Sequence, residues 1–172
     1  MDTKNKGDIA EQSVVLASLK LGWGILKPVG DRLPYDLVLD VSGKLVKVQV
    51  KYAWLDKSSK NFLVYTVRTK TNRREMKKEK YKEGDFDFAL VYIHPLEIFY
   101  VLPFCEFVRF ASLSMIEFPG RQREGFTRKF RNAWNLIQEW ALPGETQVST
   151  SAKFGEACEV VIPSQAPEKG KV

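Results

Sequence analysis

A predicted β-hairpin brings together three side chains that suit metal chemistry. Two runs rich in β-branched residues flank Ser42-Gly43, a pair typical of a two-residue hairpin turn. With that turn, Asp36 lies opposite Gln49, and Lys51 shares the Gln49 face because strand side chains alternate. A carboxylate, a carboxamide and an ammonium are therefore expected at one end of the hairpin. The other face is apolar and is predicted to be buried: Leu37, Leu39, Val41, Val46, Val48 and Val50.

This arrangement suits the metal-dependent hydrolysis of a phosphodiester bond. A hard cation such as Mg²⁺ or Mn²⁺ takes oxygen ligands, and Asp36, the Gln49 amide oxygen and the Val50 backbone carbonyl could supply them. The cation would polarise the phosphate and help to generate hydroxide. Lys51 could orient the attacking water and stabilise the charge of the transition state. The competing interpretation is an ordinary amphipathic hairpin with a solvated polar face.

At these positions the chain resembles the PD-(D/E)XK nuclease superfamily. The matching segments are PYD at 34–36 and QVK at 49–51, with Gln49 where the motif has Asp or Glu. The amide keeps an oxygen ligand but removes one negative charge, which should weaken metal binding. A Gln at this place occurs in a group I intron-encoded homing endonuclease branch. The chain is most similar to that branch through four catalytic candidates: Glu11, Asp36, Gln49 and Lys51.

Glu11 lies in a helix predicted over residues 8–21 and has two interpretations. Asp8 and Glu11 have the spacing of a capping box, which would satisfy the N-terminus of the helix. Proteins similar to this one place a Glu in the first helix, where it completes the site. That carboxylate would replace the charge that Gln49 lacks. Both interpretations stay open at the level of sequence.

The resemblance implies an α/β (α+β) fold with a mixed central β-sheet flanked by helices, a restriction-endonuclease-like core. It also implies site-specific, Mg²⁺-dependent cleavage of double-stranded DNA, as in intron homing. A double-strand break needs two active sites, so a homo-oligomer, either a dimer or a tetramer, is expected. The alternatives are a Holliday junction resolvase or repair nuclease of the same superfamily, and a non-catalytic DNA-binding module.

The net charge of +6 favours a polyanionic partner such as DNA. The most basic part of the chain is the segment around 70–84. This segment is predicted either to be a solvated helix or loop or to contact DNA phosphates. A polar turn near residue 122 could sit against DNA as well. The predicted DNA-binding residues are Lys70, Arg73, Arg74, Lys77, Lys78, Lys80, Lys82, Arg121 and Arg123.

The remaining pattern predicts one domain over residues 1–143 and a weakly structured tail over 144–172. A strand over 62–68 is expected to pair antiparallel with the second hairpin strand and complete a three-stranded meander. A buried central strand is expected at 86–93, because that run is strongly apolar. Three further elements are predicted: a strand at 98–102, a short helix at 104–111 and a long helix at about 124–141.

Several classes of protein are disfavoured by composition. Cys105 and Cys158 are too few for a disulfide framework, and we expect reduced thiols in an intracellular protein of the cytoplasm or nucleoid. The single histidine, His94, nearly excludes histidine-based metal sites and Ser-His-Asp catalysis. No apolar stretch reaches about 18 residues, so no transmembrane helix is expected. The polar N-terminus does not resemble a signal peptide.

Overall fold

This computed structural model describes residues 2–30, 32–71, 76–118 and 125–142, with the backbone alone for 69–71 and 76–78. The predicted tail lies outside these ranges. Within the described residues there are three α-helices and ten strands, which in chain order are α1 Thr3–Lys20, β1 Gly24–Leu26, β2 Leu37–Val41, β3 Lys44–Tyr52, β4 Trp54–Leu55, β5 Phe62–Tyr65, β6 Val67–Thr71, β7 Met76–Lys80, β8 Phe88–Ile93, β9 Ile98–Pro103, α2 Phe104–Val108, β10 Ser112–Met115 and α3 Asn135–Ala141. Two 3₁₀ helices cover His94–Leu96 and Phe126–Phe130.

A five-stranded mixed sheet in the order β1-β2-β3-β8-β9 forms the centre of the fold. Its pairs are antiparallel except β3 and β8, which run parallel. All six residues of β8 are buried, as expected for a strand covered on both faces. Helices α1 and α3 pack against β3, while β5, β10 and α2 contribute to a second core that shares β8 and β9. The predicted fold class is confirmed.

The β2–β3 hairpin has the predicted register. Leu37 pairs with Val48 and Val41 pairs with Lys44, which leaves a two-residue turn. Both turn residues adopt the left-handed region, Ser42 at φ 54° and Gly43 at φ 87°, and such turns match the twist of the flanking strands. The predicted apolar face is buried along its full length. The burial of this face holds the hairpin against the core and thereby fixes the positions of the side chains on its polar face.

Helix α1 begins at Thr3, with Asp2 before it, which is five residues earlier than predicted. Glu11 consequently lies in the middle of the helix and not in its first turn. The capping-box interpretation of Asp8 and Glu11 is therefore wrong. The helix buries Ala10 and Val14 against the sheet, so the Glu11 side of the helix is held close to β3.

The prediction of one strand over 62–68 is wrong. The chain makes two strands there, β5 and β6, which belong to different sheets. Strand β5 pairs with β4 and β10 in a small three-stranded sheet. Thr66 lies between β5 and β6, where its backbone N–H donates to the Ala111 carbonyl (3.2 Å) and its hydroxyl donates to the Phe110 carbonyl. The meander of the central sheet is made by β1, β2 and β3 instead.

The basic segment around 70–84 also differs from the prediction of a helix or loop. Over the part that the structure describes, it forms an antiparallel ribbon of β6 and β7, in which Arg68 pairs with Glu79 and Lys70 with Lys77. We call β6 and β7 the basic ribbon. It runs out from the core and returns at Tyr81, which is buried.

A single helix over 124–141 is not formed. A 3₁₀ helix over Phe126–Phe130 is followed by an extended residue, Arg131, and by Asn132 at φ 50° before α3 starts. The break occurs because the edge strand β9 offers unpaired backbone groups. The Asn132 N–H donates to the Phe99 carbonyl (2.7 Å), and the Phe99 N–H donates to the Asn132 side-chain oxygen (2.9 Å). Tertiary hydrogen bonds thus override the helical pattern.

Cys105 lies on α2, and Cys158 lies outside the described residues, so the expected reduced thiols and the intracellular location stay predictions. Among the described residues, no helix is both long enough and apolar enough to cross a membrane.

Candidate active site

An open cleft of about 440 Å³ lies at the end of the β2–β3 hairpin. Helix α1 forms one wall, the segment before β2 forms another, and the base of the basic ribbon closes the far side. All four catalytic candidates line it. Its charged and polar side chains are Asp8, Glu11, Lys27, Tyr35, Asp36, Gln49, Lys51, Arg68 and Tyr81.

The Asp36 carboxylate is fixed by hydrogen bonds from the hairpin. The Val50 N–H donates to Asp36 Oδ2 (2.7 Å), and Gln49 Nε2 donates to the same oxygen. The backbone is fixed as well, because the Asp36 N–H donates to the Val48 carbonyl (3.0 Å). Among the described residues, both hydrogen bonds to the carboxylate go to Oδ2. The predicted meeting of Asp36 and Gln49 is therefore a direct contact.

Burial raises the pKa of Asp36 to about 6, against a usual value of 3.8. The hydrogen bond from Val50 opposes this shift, the charge of Glu11 adds to it, and the charge of Lys51 opposes it. At neutral pH the group is still a carboxylate, although a costly one to bury. A bound cation would relieve that cost, so the environment favours a positively charged partner.

Gln49 Nε2 lies between two of the predicted metal ligands. It donates to Asp36 Oδ2 and sits 3.3 Å from the Val50 carbonyl oxygen. The two oxygens therefore converge on one point, now filled by an amide nitrogen. A carboxylate and a carbonyl around one point fit a hard cation. The Gln49 oxygen would join them only after rotation of the amide. Within the described residues, no three His, Cys, Asp or Glu side chains form a cluster, so the set rests on mixed oxygen donors.

Lys51 points into the same cleft, and its Nζ lies 5.3 Å from the centroid of the Tyr81 ring. Burial lowers the pKa of Lys51, whereas the nearby charge of Asp36 raises it. The ammonium is thus partly desolvated and close to the carboxylate. Electrostatic interactions of such a group with a phosphate are stronger than they would be in water.

Glu11 reaches the cleft but is paired with another residue. Lys27 Nζ donates to Glu11 Oε2 at 2.8 Å, and this hydrogen bond and charge raise the pKa of Lys27. The charge of Glu11 still acts on Asp36, so the two carboxylates belong to one electrostatic site. Lys27 is exposed, and such surface pairs contribute only about 0–1 kcal/mol.

The predicted DNA-binding residues are placed only in part. Lys80 and Lys82 are exposed where the basic ribbon returns to the core. Lys70, Lys77 and Lys78 lie on the ribbon by their backbone positions. The other four, Arg73, Arg74, Arg121 and Arg123, lie outside the described residues.

Two charged residues of the cleft, Lys27 and Arg68, were not selected from the sequence. Arg68 Nη2 donates to the Leu33 carbonyl (3.1 Å) and lies 3.4 Å from the Arg32 carbonyl. It therefore ties the base of the ribbon to the segment before β2. Neither residue belongs to a motif, and both reach the site through non-local packing. The basic character of the two residues was the one available signal, and it does not separate them from other lysines and arginines.

Comparison with known proteins agrees with this geometry. The sequence model of a family described as PD-(D/E)XK endonuclease matches residues 1–137. A solved structure, that of the bacterial homing endonuclease I-Ssp6803I, is 46% identical to this chain with a TM-score of 0.77. The match covers 81% of this chain and 95% of the other. None of the curated proteins matches.

A mixed central sheet flanked by helices, with an open cleft at the end of the β2–β3 hairpin, is a restriction-endonuclease-like fold. The chain belongs to the PD-(D/E)XK endonuclease family. It is thus a phosphodiester-cleaving enzyme, and nucleases of this family generally use divalent metal ions. A nuclease of this kind binds DNA.

Proposed function

We propose that the chain is a site-specific, Mg²⁺-dependent double-strand DNA endonuclease of the group I intron homing type. The observation that carries the proposal is the convergence of Asp36 and the Val50 carbonyl beside Lys51 in an open cleft. The solved relative described as a homing endonuclease supports the biological class, because identity of 46% extends over most of both chains.

Asp36, the Gln49 amide oxygen and the Val50 carbonyl would hold Mg²⁺, or Mn²⁺ in its place. When bound, the ion polarises the phosphate and promotes hydroxide formation from water. Asp36 is held ready for this role by the Val50 N–H. Lys51 orients the attacking water and stabilises the negative charge that develops on the phosphate oxygens.

Glu11 supplies the second carboxylate that Gln49 does not provide. In the present arrangement Glu11 is paired with Lys27, and it joins the site by exchanging that partner. The exchange is inexpensive because the pair is partly exposed, and such pairs are worth about 0–1 kcal/mol. The released Lys27 ammonium then faces the cleft, where a DNA phosphate can accept from it.

The basic ribbon is the proposed DNA-binding element. A two-stranded ribbon fits the major groove of B-form DNA, and this ribbon starts at Val67 and Arg68 in the cleft wall. DNA that contacts the ribbon would therefore pass the hairpin. Lysines along the ribbon and just beyond it would neutralise phosphates and release counterions.

Replacing Lys80 and Lys82 together by Ala is expected to weaken DNA binding without changing the cleavage rate at saturating enzyme. The slope of log affinity against log salt should fall by about 2, or about 1 for each lost phosphate contact. Fluorescence anisotropy over a salt series measures this slope. The double variant of Lys20 and Lys57 to Ala, two exposed lysines outside the cleft, is the control. Equal slopes for both double variants would remove the ribbon from the DNA-binding surface.

Gln49→Glu is expected to destabilise the metal-free protein and to strengthen Mg²⁺ binding. The change removes the Nε2 donor and sets a second carboxylate against Asp36, which should cost about 1–3 kcal/mol of unfolding free energy at neutral pH. Added Mg²⁺ should recover that loss more fully than it stabilises the wild type. Thermal unfolding in EDTA and in Mg²⁺ measures both effects, with Gln12→Glu on the exposed face of α1 as control. A metal-free variant as stable as wild type, with unchanged Mg²⁺ response, would contradict the ligand assignment.

A homo-oligomer, a dimer or a tetramer, would bring together the two active sites that a double-strand break needs. Its DNA substrate implies an intracellular setting.

Comparing linear duplexes with four-way junctions in Mg²⁺ separates this proposal from a Holliday junction resolvase or repair nuclease. Discrete cuts in linear DNA support the homing class, whereas selective cutting of junctions would replace it. Binding without any cleavage on either substrate would indicate the non-catalytic module.

A further inference from the structure

Tyr81 stands where the basic ribbon re-enters the core, directly after β7. Its side chain is buried, with 8% of the residue exposed. The ring packs edge-on against Phe86 at a centroid distance of 4.9 Å and lies 6.3 Å from Phe107. The core therefore fixes the orientation of the ring, while part of the residue still lines the cleft.

The Lys51 ammonium lies over this ring, 5.3 Å from its centroid. Within the part of the chain that the structure describes, Lys51 Nζ donates no hydrogen bond, and its one cation–π contact is with the Tyr81 ring, while the charges of Asp36 and Arg68 act on it from nearby. An aromatic face attracts a cation most strongly when the cation is desolvated. Lys51 lines the same cleft and is only partly exposed. A flexible four-carbon side chain thus rests on a rigid surface.

We propose that Tyr81 is a positioning residue whose ring face holds the Lys51 ammonium beside Asp36. The inference rests on the proposed role of Lys51 in cleavage and assigns to Tyr81 no contact with the reacting atoms. The ring, and not the hydroxyl, is the functional part. Lys51 is thereby placed toward the phosphate before DNA arrives, so that less ordering is needed in the transition state.

The first test compares three side chains at position 81. Tyr81→Phe keeps the aromatic face, and its single-turnover cleavage rate should lie within about 2-fold of the wild-type rate. The contact of the ring face with the Lys51 ammonium does not need the hydroxyl. Tyr81→Leu removes the face, and the single-turnover rate should fall by about 5- to 30-fold, as expected for a lost cation–π contact. The DNA dissociation constant should not change. Trp140→Leu, which removes a similar ring from Lys44 outside the cleft, should leave the rate unchanged.

A double-variant cycle separates positioning from general structural support. Combined with Lys51→Met, Tyr81→Leu should cause no further loss of rate, because the group it acts through is already gone. A further 5-fold or larger loss would overturn the proposal, as would a Phe variant as slow as Leu. A Lys51→Met protein that cleaves at the wild-type rate would refute the role of Lys51 itself, and with it the inference.

A series of fluorinated phenylalanines at position 81 guards against misfolding of the Leu variant. Each added fluorine weakens the negative potential of the ring face with little change in shape. The cleavage rate should fall stepwise along the series while the melting temperature changes much less. A rate that does not depend on fluorine number would overturn the proposal, whatever the Leu variant does.

Discussion

Asp36→Asn is expected to abolish cleavage while leaving a folded protein that still binds DNA. The amide keeps an oxygen that can accept from the Val50 N–H but removes the charge that holds the cation. The loss of several kcal/mol of transition-state stabilisation corresponds to a rate on the order of 1,000-fold lower. Single-turnover cleavage at saturating Mg²⁺ measures this effect. A variant that retains more than a tenth of the rate would contradict the assignment of Asp36 as a ligand.

The same substitution has an expected effect on the stability of the metal-free protein. The folded-state pKa of Asp36 is raised to about 6 from 3.8, so the folded protein binds the proton more tightly than the unfolded chain does. The contribution to stability is present below about pH 4 and is lost as the pH rises to 6. The stability of Asp36→Asn does not depend on pH in this way, because the Asn side chain does not titrate. At pH 7 the free energy of unfolding of the variant should exceed that of the wild type by on the order of 1–3 kcal/mol. Chemical unfolding in EDTA at pH 4 and pH 7 measures the difference.

Lys51→Met is expected to lower the cleavage rate by about 100- to 1,000-fold, the usual effect of removing one group that stabilises transition-state charge. Methionine keeps most of the side-chain length and removes only the ammonium. Mg²⁺ binding should be retained, because Asp36 and the Val50 carbonyl are unchanged. Calorimetric titration with Mg²⁺ and single-turnover kinetics together distinguish a lost catalytic group from a lost metal site.

Asp36→Asn and Lys51→Met therefore form a matched pair. Asp36→Asn should lose both Mg²⁺ binding and cleavage, whereas Lys51→Met should lose cleavage alone. If Lys51→Met lost Mg²⁺ binding as well, its main effect would be on the structure of the cleft. If both variants cleaved normally, the hairpin face would be a solvated surface and the catalytic centre would lie elsewhere.

The hairpin was predictable because its information is local. The Ser42-Gly43 turn and the alternation on either side set the register, and the register alone places Gln49 against Asp36. The orientation of the Gln49 amide was not predictable, since it depends on the Val50 carbonyl as well as on Asp36. The spacing of residues in the sequence predicts which side chains lie together, but it does not predict which of their atoms are in contact.

Elements that depend on distant partners were predicted less well. The pattern over 124–141 is helical in isolation, but Asn132 exchanges hydrogen bonds with Phe99 on the edge strand β9 and breaks it. The strand predicted at 62–68 is divided where Thr66 bonds to the segment before β10. Lys27 and Arg68 enter the cleft through such non-local contacts too, which explains why no motif indicates them.

The most direct test is the cleavage of a library of supercoiled plasmids, each of which carries a random DNA insert. The reactions compare Mg²⁺ with EDTA, and wild type with Asp36→Asn and Lys51→Met. The wild type is expected to make rare, discrete double-strand cuts in Mg²⁺, and no cuts are expected in EDTA or with either variant. Cuts that persist in EDTA, or that both variants make as fast as wild type, would contradict a metal-dependent centre on the hairpin.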